Sequence, residues 1–229
     1  LRLAFEQHKE FASTLKGTQR QRDISEAFSQ STSGETLVNL MTLDLLVGSG
    51  GVLSHAPRRS QTMMLLINAF LPEGITRLAV DSIFMMPHLG VLSEISTKAA
   101  TEVFHKDCMI YLGTCVAPVG KGKVGKPALT AKLELPDGSI WEEQIPFGEV
   151  RLIPCGVGEV VKASLKTHGG LILDSNKSKE LNVELKGGVV GIVLDTRGRQ
   201  PFVLPTEKTE RIATLKKWIK AFNAYPEQI

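Results

Sequence analysis

Hydrophobic and polar positions follow two regimes along the chain, and the change falls near residue 106. In the first regime helical and strand spacings alternate. Leu1, Ala4, Phe5, His8, Ala12 and Leu15 share one stripe at helical spacing, and Gly17 follows where a C-cap glycine stands, which predicts a helix over residues 1–16. The polar run "TQRQRDISEAFSQSTSGE" reads as a loop with a short helical turn, and "TLVNLM" as a short helix leading on. "LDLLVG" is a continuous apolar run ended by Gly48, the pattern of a strand covered on both faces in an α/β layer. A helix is predicted from Pro57, with Met63, Met64, Ile67 and Phe70 on its buried side. "EGITRLAVD" returns as a strand and "MMPHLGVLSEIST" as a helix. Glycine inside a helix costs roughly 1 kcal/mol against Ala, so Gly90 predicts close packing on a neighbouring backbone.

In the second regime the alternation is short and strand-like, as in "LTAKLELPDGSIWEEQI", "EVVKASLKTHGGLILD" and "KELNVELKGGVVGIVLDTRG". Asp137-Gly138 marks a hairpin, and Gly169-Gly170, Gly187-Gly188 and Gly198 mark further turns or tight corners. Strands of this kind, about six to eight of them, predict a β-barrel or sandwich, which limits exposed edges. Ile212, Leu215, Trp218, Ile219 and Phe222 then fall on one side of a C-terminal helix that caps the fold or docks on another domain. The expected division is an α/β unit over 1–105, an all-β domain over 106–205 and an amphipathic helix over 206–229.

With 42% hydrophobic residues in 229, the chain can bury a substantial core. Its formal charge of +3 is too small to imply a polyanion, so no nucleic-acid partner is expected. Cys108, Cys115 and Cys155 include no C-x-x-C pair, which fits a reducing cytoplasm. No apolar run approaches the ~20 residues of a membrane span, and the start "LRLAFEQHKE" lacks a signal-peptide layout. A cytoplasmic protein without a membrane partner is expected. Because residue 1 is Leu, the sequence reads as a piece of a longer polypeptide. His55, His88, His105 and His168 show no metal-ligand spacing, and no metal site is expected from them. Four lysines in "GKGKVGKPALTAK" could face phosphates, but a solvated loop is the preferred reading.

The chemistry concentrates in "VGSGGVLSHAP". A P-loop would require Gly-Lys-Ser/Thr, which is absent. A dinucleotide fingerprint would require a third glycine where Leu53 stands, and Asp81 lies too far along to be its acidic residue. The third reading is an adenosine platform, in which the nucleoside lies on bare backbone with Ser49 and Ser54 nearby. Strand, Gly-Gly, hydroxyl and helix-start Pro resemble the adenosine motif in the second half of the actin, sugar-kinase and heat-shock-chaperone ATPases. A later helix of small residues under the nucleotide would then account for Gly90.

Together, "DLLVGSGGVLSHAP", "PEGITRLAVDSIFMMPHLGVLSEI" and "GGVVGIVLDTRGR" resemble the MutL/GlmL family, over most of residues 36–205. Its members are accessory proteins of adenosylcobalamin-dependent glutamate mutase and related mutases. The resemblance implies the second half of an actin-like (ribonuclease H-like) ATPase fold, a β-barrel or sandwich and a C-terminal helix. It implies a chaperone or reactivating factor that binds ATP, with Mg2+ in the full-length protein, between this half and a missing N-terminal half. Cobalamin would enter only through the partner mutase subunits. Gly48, Ser49, Gly50 and Gly51 match the nucleoside-contacting turn, with Val52 and Ser54 beside them. No catalytic residue is assigned, and ATPase activity is expected of the full-length protein only, since hydrolysis needs groups from both sides of a cleft. Asp81 is a polar support or a strand-end cap. Arg197 and Arg199 in "DTRGRQP" are suited to a carboxylate or phosphate and are expected to contact the mutase or the absent half. The alternatives are a ligand-free protein-interaction module, in which the glycines serve packing alone, and a nicotinamide-dependent oxidoreductase.

Overall fold

The computed structural model describes residues 1–11, 38–199, 202 and 204–226. The predicted polar loop and the Gly17 cap lie outside them. Helix α1 (Arg2–Phe11) forms the described part of the first predicted helix. A single 3₁₀ turn, Leu40–Thr42, capped by the Asn39 side chain, then leads into β1 (Leu45–Gly48).

The chain passes from β1 through α2 (Gly51–Ser54) and α3 (Arg59–Phe70) to β2 (Gly74–Asp81), which pairs parallel with β1. The start of α3 is fixed by Gln61, whose Oε1 accepts the Arg58 N–H at 3.3 Å. Two further helices, α4 (Met86–Ile95) and α5 (Thr97–Val103), and a π-type turn at Phe104–Cys108 form a hairpin with its own small core of Leu89, Ala100 and Cys108. Gly90 does not pack there. It is exposed, and no atom of the described residues lies within 4 Å of where a Cβ would stand, so the expected close approach to a neighbouring backbone is not made among them.

Strand β3 (Met109–Ala117) runs antiparallel to β2. A four-stranded antiparallel sheet follows from β4 (Pro127–Glu134), β5 (Ile140–Pro146), β7 (Val160–Thr167) and β8 (Glu180–Lys186), in the order β5-β4-β7-β8. The predicted Asp137-Gly138 hairpin joins β4 to β5, with Asp137 Oδ1 accepting the Ser139 N–H at 2.9 Å. The remaining strands, β6 (Val150–Ile153) and β9 (Gly191–Asp195), leave this sheet and complete the first one, in the order β1-β2-β3-β9-β6.

The β-rich half therefore does not close into a barrel. The reason is legible in β9: all five of its residues are buried, so it needs cover on both faces, which the middle of a layered structure provides. β7, by contrast, alternates strictly between exposed and buried residues. Close approach of β3 and β9 depends on glycine. A Cβ on Gly113 would stand 1.8 Å from the Gly191 carbonyl oxygen.

Two cores result. On one face of the five-stranded sheet, Met63, Leu66 and Ile67 of α3 pack with Leu78, Val80, Leu112 and Val193, joined by Trp218 and Phe222 from the C-terminal helix α6 (Lys208–Ala221) and its end. On the other face, Val116, Ile153, Ile192 and Leu194 meet Leu129, Leu133, Ile145, Val161, Leu165 and Leu185 of the four-stranded sheet. The molecule is a mixed α/β fold with two stacked sheets and a C-terminal helix.

Candidate functional site

Because β1 and β2 are parallel and in register Gly48↔Val80, their carboxyl ends reach the same edge of the sheet. That edge is where open α/β sheets hold ligands. The three glycines there have different duties. Gly48 faces inward: a Cβ would stand 2.8 Å from Leu66 Cδ2 and 2.9 Å from Leu53 Cδ1, so this glycine serves packing. Gly50 has φ +105°, which L side chains rarely adopt, and Gly51 opens α2. Among the described residues, neither has any atom within 4 Å of its would-be Cβ. Main chain at residues 50 and 51 is therefore open on one side, flanked by Val52 at 73% exposure.

Ser54 is buried, and its hydroxyl donates to the Asp81 carbonyl oxygen at 2.5 Å. Ser49 Oγ lies 3.5 Å from Asp81 Oδ2. Asp81 is itself fully buried, and its carboxylate accepts backbone N–H groups of Ile83 and Met85 at 3.3 Å and of Met86 at 3.1 Å. It thus caps the turn entering α4, the second of its two expected roles. Within that turn Phe84 takes φ +59°, uncommon for a bulky residue. Sequence spacing gives no sign of this, because Phe is not a turn residue.

Gly48 to Ser54 and Asp81 are brought together. Arg197 and Arg199 are not among them. β9 runs parallel to β3 and hence opposite to β2, so its carboxyl end lies at the other edge of the sheet, where Arg199 Nε donates to the Pro72 carbonyl at 2.5 Å. Both arginine side chains are turned inward, 1% exposed. Arg197 binds Asp195 through Nε at 2.9 Å and Nη2 at 2.7 Å, and its guanidinium lies 4.2 Å from the Phe202 ring centroid. Arg199 Nη1 reaches Asp195 Oδ2 at 3.2 Å. The expected outward contact is thus replaced by an internal cluster. Burial pushes the Asp195 carboxyl pKa up, but the two guanidiniums outweigh it and hold it well below the usual carboxylate range. Burial likewise pushes the neighbouring Cys115 thiol up to about 12, leaving it unreactive. Asp195 belongs to no motif; its signal in the sequence is a carboxylate closing a wholly apolar strand, two and four residues before the arginines.

Residues 1–108 match the family model described as MutL protein. Over that stretch the chain is similar to the MutL family. No curated protein and no solved structure matches the chain. The MutL match contains the glycine turn, Asp81 and the α4–α5 hairpin, and it stops one residue before β3. The third resembling stretch, "GGVVGIVLDTRGR", lies beyond it. No helix among the described residues is long and apolar enough to cross a membrane.

Proposed function

We propose that this chain forms part of an accessory factor for an adenosylcobalamin-dependent amino-acid mutase of the glutamate mutase type. In this reading ATP rests against the Gly48–Gly51 turn, and an N-terminal half of the same polypeptide grips its phosphates with Mg2+. At the level of the family, the MutL match carries the accessory role. The nucleotide part is carried by one observation: backbone at Gly50 and Gly51 stands open at the shared carboxyl edge of two parallel strands. A nucleoside can lie against such main chain, where any side chain would hold it off.

The residues fit a nucleoside better than a metal. Asp81, the carboxylate beside the turn, already accepts three backbone N–H groups, so ligands for Mg2+ would come from the other half. Hydrolysis would likewise require both halves, and cobalamin would be met only on the mutase.

Gly51→Leu provides the test, since its Cβ meets no atom of the described residues within 4 Å and helical backbone accepts a side chain. Calorimetric titration of the full-length polypeptide with MgATP should show binding that this substitution weakens at least tenfold, with an unchanged melting temperature. Heat with NAD alone would support the oxidoreductase. Heat with neither would favour an interaction module, a reading that Ile83, Phe84, Val91 and Ile95, all largely exposed, also support.

A further inference from the structure

At the carboxyl edge of β1 and β2 that carries the open glycines, three apolar side chains are exposed where solvent would favour polar groups. Val52 is 73% exposed, Ile83 55% and Phe84 54%. All three stand at the carboxyl edge of β1 and β2, within four residues of Gly48 or Asp81 along the chain. Phe84 is held there against its own preference. Its backbone is left-handed, and the buried Asp81 carboxylate fixes that turn by accepting the N–H groups on both sides of it, from Ile83 and from Met85. Asp81 is in turn tied to the glycine turn by Ser54 and Ser49. One hydrogen-bonded unit therefore presents bare main chain and an aromatic ring at the same sheet edge.

We propose that Phe84 is the base-stacking residue of the nucleotide site, with Ile83 and Val52 extending the apolar surface for the purine. This rests on the nucleotide reading above and adds to it a residue that discriminates a base-bearing ligand from bare phosphate. Main-chain groups at the turn recognise polar edges, whereas the face of a purine needs an aromatic or aliphatic partner. The three exposed side chains provide one.

The test uses Phe84→Asn and Phe84→Tyr in the full-length polypeptide. Asn tolerates left-handed backbone better than Phe, so the turn survives while the ring is lost; Tyr keeps the ring. Affinities for MgATP and for inorganic triphosphate, which has no base, are measured for both variants and the wild type. Stacking predicts that Phe84→Asn weakens ATP about tenfold or more, leaves triphosphate unchanged, and that Phe84→Tyr binds ATP like the wild type. Unchanged ATP affinity in Phe84→Asn overturns the stacking role and leaves the nucleotide site standing. The same holds if that variant loses mutase association instead, which would make the apolar surface a protein-docking face. Equal losses of ATP and triphosphate also overturn it. A wild-type protein that does not bind ATP ends both proposals, so the two failures are distinguishable.

Discussion

Asp195 lies out of water with a guanidinium on each side, and its removal should be felt throughout the fold. Breaking a buried ion pair by deleting one partner costs about 3–5 kcal/mol, because the remaining charge is left unpaired. Asp195→Asn should lower unfolding free energy by about that amount in urea titration at pH 7. The pH dependence follows from the depressed pKa. A carboxylate held below its unfolded value of about 3.9 stabilises fully above that value, and the contribution is lost as pH falls through the lower folded value. Wild-type protein should therefore lose part of its stability below about pH 4, and Asp195→Asn should show a flatter acid limb. Glycines give a second contrast at this scale. Gly113→Ala drives a Cβ into the Gly191 carbonyl and should prevent native pairing of β3 with β9, detectable as lost cooperative unfolding, while a Cβ at Gly51 meets no atom of the described residues within 4 Å. Both glycines are visible in the sequence. What each faces is not, since clearance is set by strands far away along the chain, and the inward turn of Arg197 and Arg199 was hidden for the same reason.

Among the elements, α6 shows how far a hydrophobic stripe can be trusted. Ile212, Leu215, Trp218, Ile219 and Phe222 share one side, and the helix forms as that spacing predicts. Burial along the stripe is uneven. Phe222 is fully buried, and Trp218 packs against Phe202 and donates its indole N–H to the Gly148 carbonyl at 2.9 Å, whereas Ile212 stays 42% exposed. Beyond the helix, the Asn223 carbonyl accepts Ser60 Oγ at 2.9 Å, fastening its end to α3. Trp218→Ala should thus destabilise by about 3–5 kcal/mol and Ile212→Ser by no more than about 0.5 kcal/mol, measured by chemical denaturation. The short strand "LDLLVG" was legible as a strand from its apolar run ended by glycine, but its expected cover on both faces is incomplete: β1 lies at the sheet edge and Leu45, Leu46 and Val47 are only half-buried. Sheet membership of β9 was not legible, because an equally apolar run fits any buried sheet, and the choice is made by β3 and β6 on either side.

For the molecule as a whole, the consequence of that choice is integration. The five-stranded sheet takes β1 and β2 from before residue 106 and β3, β6 and β9 from after it, so each side of the change in sequence pattern supplies part of one hydrogen-bonded layer. The second sheet lies on that layer through Val116, Ile153, Ile192 and Leu194. The MutL-matched stretch ends at Cys108, directly before β3. Cut there, β2 would lose its antiparallel neighbour along its whole length, and Met63, Leu66 and Ile67 would lose Leu112, Val193, Trp218 and Phe222 from their core. An isolated 1–108 fragment should accordingly show no cooperative unfolding transition, while chain 1–229 unfolds in a single one, with fluorescence of Trp141 and Trp218 from the two layers changing together. A folded 1–108 fragment with its own sharp transition would instead make the matched stretch an autonomous unit. Separate Trp141 and Trp218 transitions, resolved in single-Trp variants, would show that the stacked sheets unfold independently. Absence of both would mean that the glycine turn can be displaced only by straining a layer that reaches into the β-rich half, which is a physical route for a ligand at Gly50 to be felt far from its site.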